Sequence, residues 1–330
     1  MSTDVQTIKQ QLKEEAAINR SHSPFSTVVV VVLGFLLFSP IAMAAKILVI
    51  GDVEHPLHQK LIHGLSKELT LKPGKLTILR PDQIAKNSLA TTQADLIITL
   101  GLSAAKSVNN LNSDTPILFT LLPKVLADNF IECPTQLCPQ KRGALFLEQP
   151  MNRRLNLIHL LFPDIKKLSF LYGDFSASSA NELDELAKKA GYITDKAHIE
   201  NKDQLSRKFS VVLEQSELFI ALPDPLIHNR NSIPQLLLGS YRYNIPIIGF
   251  SKSYVSAGAI AAVFSSLEDL TKELTLLIQT FERSGQLPSA GRYPSLYRIQ
   301  INRNVARSMN LHLPSPSLLR KGLLALEEGT

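Results

Sequence analysis

The sequence predicts an α/β chain of two doubly wound parallel-sheet lobes joined by a hinge. Short apolar runs alternate with amphipathic helical stretches along residues 46–281, the pattern of parallel strands covered on both faces. The runs form two groups, before and after about residue 148, separated by a Pro-rich stretch at 122–150. With 330 residues and 45% hydrophobic content, the chain exceeds one average core and is too apolar for a disordered protein.

The elements follow in order. KILVI (46–50) reads as a buried strand, followed by a polar helix through Leu65. KLTIL (75–79), DLIITL (95–100) and PILFTL (116–121) are further strands, with a helix starting near Ser103. Residues 122–150 carry four Pro and both Cys, and read as an excursion plus a crossing between lobes. LSFLY (168–172) opens the second group, with a helix over 181–190. ELFIAL (217–222), PIIGF (246–250) and AIAAVF (259–264) complete it. Leu267, Leu270, Leu274, Leu277, Ile278 and Phe281 form one helical stripe, which Gly285 ends. The first lobe is therefore expected over 45–148 plus 266–287, the second over 149–265 plus 288–320, and a tail over 321–330.

Residues 1–44 read as a signal peptide, with an uncleaved inner-membrane anchor over 27–45 as the alternative. TVVVVVLGFLLF (27–38) is an apolar run short for a spanning helix, and Ala42-Met43-Ala44 places small residues for a cut after Ala44. The long segment before the run has no net positive charge, since Lys9, Lys13 and Arg20 are balanced by Asp4, Glu14 and Glu15. Its removal leaves the net charge at +6, mild for the remaining length and no nucleic-acid signature. No Cys lies near the cut for a lipid anchor. In an exported chain, Cys133 and Cys138 in CPTQLC favour a local disulfide over free thiols or a metal site.

Enzyme signatures are thin. There is no GxGxxG after the first strand and no GxxxxGK[ST], and GFSKS lacks the second Gly of a nucleophile elbow. His55, His58 and His63 do not share one helix face, and Arg303 and Arg307 read as a solvated face. No metal or cofactor is implied. Ligands of open parallel sheets sit beyond the carboxyl ends of the strands. That selects the turns after each strand, including 51–53, 101–103, 120–121, 172–176, 223–225 and 249–254. Ser103 is placed to cap its helix and leave N–H groups free for an anion.

Four stretches carry a family resemblance: ITLGLSAAKSV (98–108), LSFLYGDFSASSANELDELAKKAGY (168–192), IPIIGFSKSYVSAGAIAAVFSSLEDLTKEL (245–274) and INRNVARSMNLHLP (301–314). They resemble periplasmic ABC-transporter substrate-binding proteins of the tryptophan/tyrosine type. The resemblance implies a type I periplasmic-binding-protein fold, a small polar, amino-acid-like ligand between the lobes and no catalysis. It also implies a monomer in the periplasm serving the membrane permease of an ABC importer. A ligand sensor or accessory protein of the envelope, acting with a membrane partner and uncoupled from transport, is the alternative. Leu102, the Asp174-Phe175 pair and LPDPLIHNR (222–230) depart from the family pattern, as does CPTQLC. The ligand residues expected are Asp52, Thr99, Ser103 and Thr120 from the first lobe. Tyr172, Asp174, Asp224, Ser251 and Tyr254 are those expected from the second.

Overall fold

The computed structural model describes residues 45–69, 75–84, 93–109, 114–132, 142–288 and 290–328. The expected signal segment or anchor and the Cys133–Cys138 pair lie outside them. Strands β1 (Ile47–Ile50), β2 (Leu76–Leu79), β3 (Leu96–Leu100), β4 (Ile117–Leu122) and β5 (Arg142–Phe146) form one parallel sheet in the order β2-β1-β3-β4-β5. Strands β6 (Lys167–Tyr172), β7 (Ile193–His198), β8 (Leu218–Ile220), β9 (Ile247–Ile248) and β10 (Ala261–Phe264) repeat that order as β7-β6-β8-β9-β10. Then β11 (Gly291–Arg292) joins the first sheet parallel to β5, and β12 (Arg298–Ile301) joins the second antiparallel to β10. The chain is thus two copies of one wound plan, in line with the predicted class.

The described helices are α1 (Pro56–Glu68), α2 (Gly101–Asn109), α3 (Lys124–Ile131), α4 (Met151–Leu161), α5 (Ala177–Lys189) and α6 (Leu205–Glu214). They continue with α7 (Ile233–Tyr243), α8 (Lys252–Ala257), α9 (Leu267–Ser284), α10 (Arg303–Ser308) and α11 (Pro316–Glu328). Alternate side chains of a strand face opposite ways, so each central strand feeds two cores. In β1, Ile47 and Val49 pack with α1 and α9, while Leu48 and Ile50 pack with α2 and α3. In β6, Leu168 and Phe170 pack with α4, α5 and α11, and Leu171 packs with α6, α7 and α8. Helix α9 ends at Gly285 as its sequence predicts, and it also has a start signal. Ser266 and Asp269 form a capping box at its start, and Gly285 takes the left-handed conformation (φ 66°) at its end.

Three segments run between the lobes: 147–150 from β5 to α4, 265–266 from β10 to α9, and 293–297 from β11 to β12. The third lies later than the expected boundary at 287/288, because β11 pairs with β5. Within the expected tail over 321–330, only 321–328 are described. Residues 321–328 belong to α11, whose Leu319 and Leu323 are buried against the core beside α4. The excursion expected over 122–150 holds helix α3 and strand β5. Arg142 opens β5 in a buried position, donating to the carbonyls of Phe130 (3.0 Å) and Asn109 (3.2 Å) and to Asn109 Oδ1 (3.0 Å). Among the described residues, no helix is long and apolar enough to cross a membrane.

Candidate ligand-binding cleft

A cleft opens where the carboxyl ends of the two sheets meet, as open parallel sheets require. It has two connected parts that share Pro123, Glu148, Gln149, Pro223 and Phe250. The wider part, about 460 Å³, is mainly apolar, with Leu57, Leu121, Leu147, Phe264, Leu267 and Leu270 on its walls. The narrower part, about 30 Å³, lies between Lys124, Glu148 and Tyr293 on one side and Arg154, Phe175 and Glu182 on the other.

The narrow part gathers charge in a dry place. Among the described residues, Glu148 Oε2 and Arg154 Nε are buried without a hydrogen-bond partner. Glu148 Oε1 accepts the backbone N–H of Lys124 at 2.7 Å, which fixes the carboxylate. Burial pushes the Glu148 pKa up; the Lys124 N–H and the charges of Lys124 and Arg154 offset part of that rise. Arg154 donates from Nη2 to the Ala221 carbonyl at 2.6 Å, and burial lowers its pKa to about 10 against the pull of Glu148. Burial also raises Glu182 and Tyr293, the latter further through Glu182, Glu148 and Asp128. Buried charged atoms normally have partners. Both residues line the narrow part of the cleft.

Of the residues expected from the sequence, Ser251 lines the wider part and caps α8 by accepting the Tyr254 N–H at 3.2 Å. Asp52 and Ser103 share a separate first-lobe depression of about 350 Å³ with His58, Arg80 and Asp82. Ser103 does not cap its helix: α2 begins at Gly101, so Ser103 stands inside the first turn. His58 accepts the Asp52 N–H at 3.0 Å, and burial and the neighbouring His55 lower its pKa against the pull of Asp52. Thr99 and Thr120 are core residues, with Thr120 Oγ1 donating to the Thr99 carbonyl at 2.8 Å. Tyr172 stacks on His198 with ring centroids 5.2 Å apart, and His198 Nε2 meets Asp174 Oδ1 at 2.8 Å.

Asp224 ties its own turn to the turn after β6. Its Oδ2 accepts from Gly173 N (3.1 Å) and Ser176 Oγ (2.7 Å), and its Oδ1 accepts from Leu226 N (2.9 Å). Tyr254 is buried, with its hydroxyl 3.0 Å from Nδ1 of His228. Burial holds that imidazole neutral, its pKa lowered to about 3. No group of three or more His, Cys, Asp or Glu among the described residues is arranged to hold a metal. Sequence reasoning missed Glu148, Gln149 and Arg154. The signal was RGALF (142–146), an apolar run whose recognition as a strand places 147–149 at a carboxyl end.

Solved structures share this architecture. A substrate binding protein with adhesive properties from Clostridium difficile, solved ligand-free and open, superposes with a TM-score of 0.67 at 19% identity over 82% of this chain and 96% of its own. An ABC domain from Streptococcus pneumoniae in complex with L-Trp gives 0.58 at 18% identity, over 84% of this chain and 97% of its own. A conserved domain protein from Vibrio cholerae gives 0.58 at 20%, covering 84% and 98%. At these identities the likeness concerns the fold. No curated protein matches the sequence. The family model described as "ABC transporter substrate binding protein" matches residues 46–280, a span that takes in both sheets' central strands, the cleft and most of α9; with the type I periplasmic-binding fold found above, it makes the chain a member of that family of solute-binding proteins.

Proposed function

We propose that this protein captures a small zwitterionic, amino-acid-like ligand in the interlobe cleft and delivers it to the permease of an ABC importer, without catalysis. The observation that carries this reading is the pair of unpartnered buried atoms, Glu148 Oε2 and Arg154 Nε. A ligand ammonium beside the first and a carboxylate beside the second would satisfy both, and the apolar part of the cleft would take the ligand's remaining bulk. The proposal includes export to the periplasm, with a cut between Ala44 and Ala45 testable by N-terminal sequencing.

The test is native mass spectrometry of protein purified gently from its host, followed by calorimetric titration of the mature chain with a panel of L-amino acids and their amides and decarboxylated amines. Loss of one hydrogen bond to a charged ligand group costs about 1.5–3 kcal/mol, roughly 10- to 150-fold in affinity. Glu148→Gln is expected to weaken the best L-amino acid by that factor, and removing the ligand's carboxylate to do the same in the parent. Unchanged affinity in Glu148→Gln, or amines binding as well as amino acids, overturns the zwitterion reading.

A further inference from the structure

The three segments between the lobes are joined to one another by side chains. Gln149, in the first, donates from Nε2 to Ser265 Oγ in the second at 2.6 Å. Ser265 Oγ donates in turn to the Leu296 carbonyl in the third at 2.6 Å. A single guanidinium holds this bar from outside the cleft. Arg153 Nη1 donates to Gln149 Oε1 (2.5 Å) and to the Pro294 carbonyl (3.2 Å), and the group lies 4.2 Å from the centre of the Tyr297 ring. Its remaining edge meets Glu327 of α11 bidentately, Nε to Oε1 at 2.5 Å and Nη2 to Oε2 at 2.8 Å.

Helix α11 reaches the third segment a second time. Arg320 Nη1 donates to the Tyr297 carbonyl at 2.9 Å, and its guanidinium lies 5.1 Å from the Tyr297 ring. The helix itself is firmly seated. Leu319 and Leu323 are buried, and the approach at Gly322 is so close that a Cβ there would stand 2.9 Å from Leu160 Cδ1. This apolar seat does not depend on Glu327, whose side chain is 27% exposed against 12% for Arg153. The helix therefore has an apolar seat in addition to the fork. What the fork holds is Arg153, and through it Gln149 and Ser265, two residues that line the cleft.

We propose that Arg153 and Glu327 are positioning residues for solute binding: the C-terminal helix, through this fork, fixes the bar across the three segments and so sets the angle between the lobes from a point outside the cleft. A planar fork bonded on three sides transmits orientation in a way a point charge cannot. A contact made more strongly in one lobe arrangement shifts the population of arrangements by its differential free energy. The effect on ligand affinity rests on the interlobe-cleft reading above; the effect on lobe geometry does not.

The experiment measures single-molecule energy transfer between dyes carried by azide-bearing residues at exposed Lys106 and Arg207, one per lobe, in the ligand-free mature chain. Glu327→Gln is expected to shift or broaden the interlobe distance distribution. Arg153→Lys, which keeps the charge and loses the fork, is expected to do likewise, while the double exchange Arg153→Glu with Glu327→Arg leaves the bar unrestored. Melting temperatures of the first two variants should fall less than that of Leu323→Ala, which unseats α11. Distance distributions identical to the parent's in both Glu327→Gln and Arg153→Lys overturn the proposal. So does a loss of melting temperature in Glu327→Gln equal to that of Leu323→Ala, which would make the pair a packing contact only. Titration with L-tryptophan as the probe separates the two readings. Affinity about tenfold weaker in Glu327→Gln supports coupling from hinge to site. Failure of the parent to bind L-tryptophan or any other amino acid counts against the ligand reading, while the distance distributions still decide the hinge.

Discussion

Replacing Asp224 by Ala separates a residue that builds the site from one that touches ligand. Its carboxylate is 3% exposed and accepts three hydrogen bonds: from Gly173 N, Ser176 Oγ and Leu226 N. Hydrogen bonds to a charged acceptor contribute about 1.5–3 kcal/mol each, and buried donors left without an acceptor carry the full desolvation cost. Part of the loss is recoverable, because Gly173 N also donates to Ser176 Oγ at 3.2 Å. Counting two bonds as lost, Asp224→Ala should destabilise the second lobe by about 3–6 kcal/mol. Asp224→Asn, which keeps one acceptor oxygen for Leu226, should cost about half as much. The chain has no Trp, so urea unfolding is best followed by far-UV circular dichroism. With an m-value of about 2 kcal/mol/M, the midpoint in Asp224→Ala should fall by roughly 2 M. Affinity measured well below that midpoint should be little changed. A parental midpoint together with lost affinity would refute the reasoning and return Asp224 to the ligand, the role its place after β8 suggested from sequence.

Two further predictions concern titration. Burial raises the Glu148 pKa, so in the ligand-free protein its ionised form is a stability cost; its contribution is favourable at low pH and is lost as pH rises through the raised folded-state value. Binding of an ammonium group needs the ionised form, so affinity should fall as pH is lowered from neutral through the raised folded-state value, with a flatter profile in Glu148→Gln; a parental affinity independent of pH counts against the contact. His228 has the opposite sign. With its folded pKa lowered to about 3, it contributes stability that is present above its ordinary value and lost as pH falls from there toward the folded value, at up to about 1.4 kcal/mol per pH unit. Denaturation midpoints of His228→Phe should be lower at neutral pH and less steep in pH, and an equally steep loss of stability on acidification in the variant would place the effect elsewhere.

Strands β1, β3 and β4 were legible because both of their faces are buried, which leaves an unbroken apolar run in the sequence. Strand β7, ITDKAH, was not, because it lies at a sheet edge and carries Thr194 and Lys196 to the carboxylate of Asp184. Strand β12, RIQI, is likewise a half-exposed edge strand, with Arg298 bonded to Asp269 at 2.8 Å. Strand β5 was obscured by Arg142, a charged residue at a core position whose partners come from the ends of two helices. The site was less legible than the fold for a related reason. A turn rich in Asp, Ser and Gly looks the same whether its polar groups face a ligand or cap one another. Asp224 and Ser251 were selected by the same rule, yet Asp224 ties two turns together through three accepted hydrogen bonds, while Ser251 caps α8 and also lines the cleft. Only an accounting of hydrogen bonds distinguishes them, and that accounting needs coordinates.

Glu148 and Gln149 are consecutive in the first of the three segments between the lobes, and both line the cleft. Glu148 leaves an unpaired oxygen in the cleft, while Gln149 is bonded to Ser265 and Arg153. The residue proposed to meet a ligand and the residue that ties the segments together are therefore separated by one peptide bond. Glu148 is also held to the start of α3 by the Lys124 N–H, so its carboxylate has little freedom to move without the backbone of the segment moving too. The third segment is fixed from the first-lobe side in a comparable way, since buried Glu273 of α9 accepts the N–H groups of Ser295 and Leu296, each at 2.8 Å. A hinge built like this has few independent torsions. Charge placed on Glu148 by titration, or neutralised by a ligand, acts on a segment whose other contacts are already committed, which favours a small number of discrete lobe arrangements over a continuum.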